Sequence, residues 1–280
     1  MKEIHIDTIT SEVEKLCIDA CCNIGDDVYN SLKKAMDMEE SPSGLGILHQ
    51  LIENIEISRR DVTPICQDTG MAVFFLELGQ DIHITSGYLY DAINEGVRRG
   101  YTKGYLRKSV VLSGIDRINT MDNTPAIIHT SIVPGDKLKI TFAPKGFGSE
   151  NMSAIKMLKP SDGIKGIKDF VFETVNNAGS NPCPPIILGI GLGGTFEKCA
   201  LLSKQALLRN LDEENPDPNL ALLEKEILNE VNNLGIGPQG LGGRVTCLGV
   251  SILSYPTHIA GMPVAVNIQC HASRHKEIIL

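Results

Sequence analysis

The sequence predicts a mixed α/β (α+β) fold, in which a helical N-terminal part is followed by a mixed sheet with flanking helices. Three observations predict it. The stretch Thr10–Met38 carries apolar residues at helical spacing, among them Cys17 and Cys21 four residues apart. From Val73 onward the pattern changes to short apolar runs separated by Gly, Pro and Asp, which is the signature of strands and turns. Helical segments interrupt those runs, beginning with Leu89–Gly100.

In chain order, the expectations are a helix over residues 10–38, a break at Ser41-Pro-Ser-Gly and a short helix over 45–54. Strands follow at "AVFFLEL" and "DIHITS", then a helix over 89–100. Further strands are expected at "VVLSGI", at "AIIHTSIV" and, past the Pro134-Gly-Asp turn, at "KLKITFAP". After "KGFGSENMSAIKML" come a helix over about 164–177, a strand at "CPPIILGIG", a glycine-rich turn, and a helix ending at Arg209. The polar link "DEENPDPN", a helix over 220–234, the loop "GIGPQGLGG" and two strands around Thr246 and Val264 complete the chain. No internal repeat shows in the sequence, and the link at 212–219 lacks a matching core on each side. A single domain over 1–280 is therefore expected.

Composition narrows the function classes. The 280 residues bury a sizeable core, and 26 Lys plus Arg against 34 Asp plus Glu give a net charge of −8. That balance repels nucleic acid and anionic membranes, and no basic run reverses it. The most apolar segment, Cys247–Val266, is broken by Pro256, His258 and Pro263, so no membrane span is expected. The opening "MKEIHIDTIT" has no apolar signal region, and a cytoplasmic location is expected.

The eight cysteines have irregular spacings that do not suit a disulfide framework. Cys17, Cys21 and Cys22 lie in "SEVEKLCIDACCNI", Cys199 in the helix "FEKCALLSKQALLR" and Cys247 in the strand "RVTCLGVSIL"; all five read as small buried hydrophobes. Cys66, Cys183 and Cys270 stand apart, each beside turn signals or polar groups, with Cys183 between prolines. Spacing leaves two readings open for them: unrelated buried thiols, or three thiolates of a polynuclear centre. Three thiolates on a four-iron cluster leave one iron open to substrate.

Two glycine-bearing motifs are ambiguous as well. "GIGLGG", Gly189–Gly194, satisfies the dinucleotide pattern between a strand and a helix, but no second strand precedes Asp212, where the acidic partner would fall. A nucleotide-dependent oxidoreductase would rest on it; any anion site, or a close backbone approach, is the other reading. "APKGFGSEN" places Lys145 among glycines, and reads either as a loop with a solvated lysine or as a carboxylate-binding segment.

Taken together and in order, "PICQDTG", "LRKSVV", "PKGFGSEN", "NPCPPIILGIGLGGT" and "QCHASRH" resemble the iron–sulfur hydro-lyases, namely the alpha-type subunit of class I fumarate hydratase and L-tartrate dehydratase. The resemblance runs from about Thr10 to the C-terminus. It implies a [4Fe-4S] cluster held by Cys66, Cys183 and Cys270. It implies substrate contacts from Gln67 and Asp68, with Asp68 in the catalytic set, and places "GIGLGG" in a turn packed near the cluster. It implies a small dicarboxylate substrate, fumarate or malate, whose carboxylates call for a bidentate cation at Arg107 and for the segment Lys145, Gly146 and Gly148 with its backbone amides. His258 in "YPTHIAG" matches a histidine that reaches the substrate site across a dimer interface; the bland alternative is a satisfied core histidine. His271 and His275 match the motif without an assigned role. Relative to single-chain members, the sequence stops just after the third cysteine, which implies a beta subunit carrying the C-terminal catalytic domain and an alpha2beta2 assembly. The expected reaction is reversible hydration of fumarate to malate, with L-tartrate dehydration as the alternative.

Overall fold

Residues Ala72–Leu76 are buried without a break, so this strand must be covered on both faces and paired on both edges. The computed structural model, which describes residues 2–280, places it that way. In chain order the first elements are β1 (Lys2–His5), α1 (Ile6–Cys22), α2 (Asp26–Met38), α3 (Pro42–Asp61), β2 (Met71–Gly79), β3 (Ile82–Thr85), α4 (Leu89–Lys103), β4 (Ile127–Val133) and β5 (Leu138–Lys145). They are followed by α5 (Phe147–Glu150), β6 (Ala154–Leu158), α6 (Gly163–Ala178), β7 (Ile186–Gly193), α7 (Phe196–Ala206), α8 (Pro218–Asn232), β8 (Cys247–Tyr255), β9 (Met262–Gln269) and β10 (Lys276–Ile279).

The described residues divide into two compact units, the first comprising residues 2–24, 55–147 and 274–280, the second 25–54 and 148–273. In the first unit the sheet order is β10-β5-β2-β4, and β1 and β3 form a separate parallel pair. Its core is made by Ile9, Val13 and Leu16 of α1 and Ile93, Val97 and Tyr101 of α4, packed on Phe74, Leu76, Ile140 and Phe142. In the second unit the sheet order is β6-β9-β7-β8, with α6 and α8 contributing Val171, Val175, Ile227 and Val231 to the core.

Three strands of each sheet share one topology. β2 runs parallel to β4 through the crossover that contains α4, and β5 then returns antiparallel on the other edge of β2. β7 runs parallel to β8 through α7 and α8, and β9 returns antiparallel on the other edge of β7. An outer strand closes each: β10 on β5, β6 on β9. The sequence shows no such repeat, because the repeat lies in connectivity and not in residue identity.

Several local expectations need correction. The predicted helix over 10–38 is two helices, parted at Asn23–Gly25, where one unit gives way to the other. Ser41-Pro42 starts a helix instead of only breaking one: Pro42 takes the first turn and the Ser41 hydroxyl accepts the Gly44 N–H at 3.3 Å. "VVLSGI" is a loop holding a single bridge, Val111 to Asn119, with Leu112 and Ile115 exposed. "GIGLGG" lies mostly in β7, not in a turn. Its apolar side chains Ile190 and Leu192 pack in the core that α6 and α8 share, while Gly189 and Gly191 face α7. A Cβ at either glycine would stand 2.1 Å from the Ser203 or Cys199 carbonyl oxygen, so these glycines admit a helix at close range and form no phosphate loop. The short edge strands β6 and β10 carried no readable alternation.

Among the described residues no helix is long and apolar enough to cross a membrane.

Glu39, at the end of α2, is buried and accepts four backbone N–H groups, from Glu40, Ser41, Arg244 and Val245. Burial pushes its carboxyl up, but the hydrogen bonds outweigh burial and hold it below the ordinary range. A carboxyl depressed in the folded state stabilises above its unfolded value of about 4.3 and loses that contribution as pH falls through the folded value. Urea unfolding of Glu39→Gln is expected to show a lower midpoint at pH 7 and a flatter acid limb than the parent chain. Parallel pH profiles for the two would remove Glu39 from this role.

Candidate functional site

The first unit contributes the turn Cys66–Gly70, ahead of β2. The N–H of Asp68 points to Cys66 Sγ at 3.4 Å. The Asp68 carboxylate bridges two pieces of chain: Oδ1 accepts the Gly70 N–H at 3.0 Å and Oδ2 the Phe147 N–H at 2.9 Å. Gly70 sits at φ +75°, and a Cβ there would lie 2.6 Å from the Lys145 carbonyl, so the last residue of the motif lets β5 and the turn meet.

Backbone carbonyls of the turn are held from several directions. The Tyr101 hydroxyl lies 3.0 Å from the Thr69 oxygen and 3.1 Å from that of Gly70, Asn123 Nδ2 donates to Gly70 at 3.2 Å, and Arg274 Nη2 donates to Asp68 at 3.0 Å. Tyr101, Asn123 and Arg274 are all buried. Burial, then the neighbouring Cys21 and Cys17, pushes the Tyr101 phenol up, so it acts as a donor. None of these three was legible as a site residue; only the burial of a polar side chain marks them.

Arg107 lies in the long connection between α4 and β4, where its carbonyl accepts the Thr69 hydroxyl at 3.2 Å. Its side chain is exposed and so is that of Gln67, which leaves both available to a ligand. Lys145, by contrast, is 4% exposed, which excludes the solvated-lysine reading; its ammonium donates to the Gly146 carbonyl at 3.3 Å. The Phe147 amide is already committed to Asp68, so the segment does not offer all its amides to an incoming carboxylate.

The second unit contributes Cys183 and Cys270. They lie at one end of the β7–β9 pair, Cys183 ahead of Ile186 and Cys270 after Gln269, where Ile187 pairs with Gln269. Cys183 adopts φ +57°, a left-handed conformation rare for a side chain with a Cβ, and its N–H donates to the Ser180 carbonyl at 3.0 Å. His271 Nδ1 lies 3.0 Å from the Cys183 carbonyl. Ser149 and Glu150 tie their segment to β9 through Gln269 at 3.2 Å and Asn267 at 3.1 Å, just ahead of Cys270, and Lys204 pairs with Glu150. Gly148 stands beside the Asn181 carbonyl.

His258 is elsewhere in this unit. It is exposed in the connection between β8 and β9, which passes over the end of β7, where its Nδ1 accepts the Ala260 N–H at 3.2 Å, so the core-histidine reading is excluded. That connection meets β7 at Gly193 and Gly194, the end opposite to Cys183. Eight residues of β7, about 25 Å at the usual strand rise, separate the two ends. The structure therefore does not bring His258 together with Cys183 or Cys270 of the same chain.

The thiols sort into two chemical classes. Cys17, Cys21, Cys22, Cys199 and Cys247 are buried, and burial pushes every one up, to about 11 at Cys21 and about 12 at Cys199 and Cys247. Cys199 and Cys247 also donate their S–H protons to the carbonyls of Gly191 and Gly249. Such thiols resist becoming metal-binding thiolates. Cys66 and Cys270 are half-buried and Cys183 is exposed. The donor set thus fits an iron–sulfur cluster: the accessible thiols are the three that the motifs single out. Among the described residues no three His, Cys, Asp or Glu side chains gather as a site for one metal ion. A cluster asks for a different arrangement, with each thiolate on its own iron.

Comparison with known proteins agrees with the motifs. Residues 10–279 match the family described as Fumarate hydratase (Fumerase). A Methanocaldococcus jannaschii protein, provisionally named L(+)-tartrate dehydratase subunit alpha, is 43% identical over 271 residues, 95% of this chain and 95% of the relative. The L(+)-tartrate dehydratase subunit alpha of Escherichia coli K12 is 32% identical over 283 residues, all of this chain and 93% of the relative. That of Escherichia coli UTI89 is 33% identical over 277 residues, 98% of this chain and 91% of the relative.

Proposed function

Since the chain belongs to the fumarate hydratase (Fumerase) family, we propose that it is the alpha-type subunit of an iron–sulfur hydro-lyase acting on a four-carbon dicarboxylate. The observation that carries the cofactor reading is the sorting of the cysteines, in which Cys66, Cys183 and Cys270 alone escape burial. These three would hold a [4Fe-4S] cluster. When bound, such a cluster supplies a Lewis-acidic open iron for the hydroxyl that leaves or enters.

The residues of the chain have separate tasks. Arg107 binds one substrate carboxylate through its exposed guanidinium, and Gln67 contacts the substrate beside Cys66. Lys145 holds a positive charge under the segment carrying Gly146 and Gly148, which favours a second carboxylate. Asp68 fixes the shape of that segment through the Phe147 and Gly70 amides, and its remaining lone pairs face the substrate. His258 serves the site of a neighbouring copy, a role that its exposed position in the connection between β8 and β9 supports.

The proton on carbon is assigned to a base from a second kind of subunit, in an alpha2beta2 enzyme located in the cytoplasm. Two observations support a partner. The chain covers nearly the full length of relatives named as alpha subunits. The connection that carries Arg107 exposes Tyr105, Leu112, Ile115, Ile118 and Met121, more apolar surface than an isolated loop normally shows to water.

The first substrate reading is reversible hydration of fumarate to malate, after the family. The names of the relatives favour a second, removal of water from L(+)-tartrate to give a 2-oxo acid. The test is anaerobic reconstitution with iron and sulfide, alone and with the candidate beta subunit, followed by assays on fumarate, malate and L(+)-tartrate. Turnover of at least one is expected only with cluster and partner both present. Full turnover by the iron-free chain would overturn the proposal.

A further inference from the structure

The glycine-rich run Gly235–Gly243 joins α8 to β8 and takes no part in the chemistry proposed, yet it is built against the turn that carries Cys183. Gln239 reaches that turn twice. Its backbone N–H donates to the Pro184 carbonyl at 2.7 Å, and its side-chain Nε2 donates to the same oxygen at 3.0 Å. Nε2 also lies 3.3 Å from His271 Nδ1, which is 3.0 Å from the Cys183 carbonyl. A carbonyl only accepts, so Nδ1 carries the proton and donates to Cys183. Gly240 packs the run against the start of the turn: a Cβ there would stand 2.2 Å from the Cβ of Ser180, whose carbonyl accepts the Cys183 N–H.

The run itself is anchored. Glu39 accepts the N–H groups of Arg244 and Val245 at 3.0 and 2.9 Å, and the Gly237 N–H donates to the Thr246 hydroxyl at 3.1 Å. Two residues with side chains in the left-handed region, Cys183 at φ +57° and Gln239 at φ +53°, belong to this assembly. A connector with no further task would carry glycine or asparagine at such a position. The first unit has a counterpart. Its connection between α4 and β4 holds the turn of Cys66 through Asn123 on the Gly70 carbonyl and through the Arg107 carbonyl on Thr69.

We infer that Gln239 and His271 are positioning residues, which hold the Cys183 turn in its left-handed conformation so that the thiol is presented to the cluster, with Glu39 fixing the loop behind them. The inference rests on the reading of Cys183 as a cluster ligand. Hydrogen bonds one step removed from a ligand commonly set metal affinity by about 10- to 100-fold, and that is the size of effect to look for.

The experiment compares the full chain with Gln239→Gly, His271→Phe, His271→Asn and Cys183→Ser after anaerobic reconstitution. It reads iron per chain, the rate at which a chelator bleaches the cluster's visible absorption, and the thermal midpoint of the iron-free protein. Gln239→Gly and His271→Phe are expected to release iron about 10- to 100-fold faster. The iron-free midpoint of Gln239→Gly should match or exceed the parent's, because glycine takes φ +53° without strain. His271→Asn, whose amide nitrogen can stand near the Nδ1 position, should restore most of the retention. Unchanged iron release in both Gln239→Gly and His271→Phe, with the cluster lost in Cys183→Ser, would overturn the inference and leave the ligand reading intact. Faster release matched by a fall in the iron-free midpoint of Gln239→Gly would make the residue a general stabiliser and also overturn it. A cluster that survives in Cys183→Ser would remove the ligand reading and the inference together.

Discussion

Serine at Cys66, Cys183 or Cys270 is expected to abolish the cluster's visible absorption and all turnover, whereas serine at Cys22, Cys199 or Cys247 should leave both in place. The contrast follows from protonation as much as from position. A ligand must be a thiolate, and the cost of deprotonating Cys199 or Cys247 is set by burial that lifts each to about 12. Their protons are also in use, on the carbonyls of Gly191 and Gly249, and a serine hydroxyl can make the same donation. The three motif cysteines are not buried in that way. Cys66 Sγ is instead approached by the Asp68 N–H, from within its own turn. Absorption and iron content after anaerobic reconstitution check the prediction directly. Persistence of the cluster in any one of the three variants would break the ligand set. Because an open iron is exposed to oxidants, reconstituted activity should also decay in air, and sustained aerobic turnover would argue against it.

Much of this arrangement was legible in the sequence, for reasons that differ from residue to residue. The strand β2 was readable because an uninterrupted apolar run bounded by turn residues has few other uses, and it is buried as that pattern demands. The sorting of the cysteines was readable because helical spacing marked Cys17 and Cys21 as core, and the structure buries both. "GIGLGG" misled on geometry, since a strand that shows glycine on one face and Leu or Ile on the other has the same spelling as a nucleotide turn. "VVLSGI" misled because β-branched residues mark an apolar surface as readily as a strand; Val110 is buried, but Leu112 and Ile115 face outward, in the connection that also carries Arg107. The break at Asn23–Gly25 was hidden by helical composition on both sides. What no local pattern could supply was the common topology of the two units. That topology puts the turn ahead of the first parallel strand and the end of its antiparallel neighbour side by side: Cys66 near Lys145 in one unit, Cys183 near Cys270 in the other. The buried polar residues that hold these turns, Tyr101, Asn123 and Arg274, are likewise a product of long-range folding; Arg274 lies inside the "QCHASRH" motif, but the neighbours of Tyr101 and Asn123 in sequence say nothing of it.

Arg107→Ala is expected to lower kcat/KM on the dicarboxylate by roughly 2–5 kcal/mol, about 30- to 5000-fold, with little change in the thermal midpoint. The two halves of the expectation have separate grounds. The side chain is exposed, so its removal takes no packing from the core; the contact that orders the segment uses the Arg107 backbone carbonyl, which the substitution keeps. The catalytic loss comes from a carboxylate that must leave water and find a charged, bidentate partner in its place. Lysine supplies the charge without the planar fork, so Arg107→Lys should recover only part of the loss. Arg117 provides the control, since it lies in the same connection, is also exposed and has the same charge. If general attraction of a dianion were the whole effect, Arg117→Ala would weaken the reaction about as much, and both losses would fade together at high salt, where charges beyond roughly 10 Å are screened. A direct contact instead predicts a loss confined to Arg107 and largely insensitive to salt. Near-normal kinetics in a folded Arg107→Ala chain, measured with cluster and partner present, would take this residue out of the site and leave the substrate carboxylate to other cations.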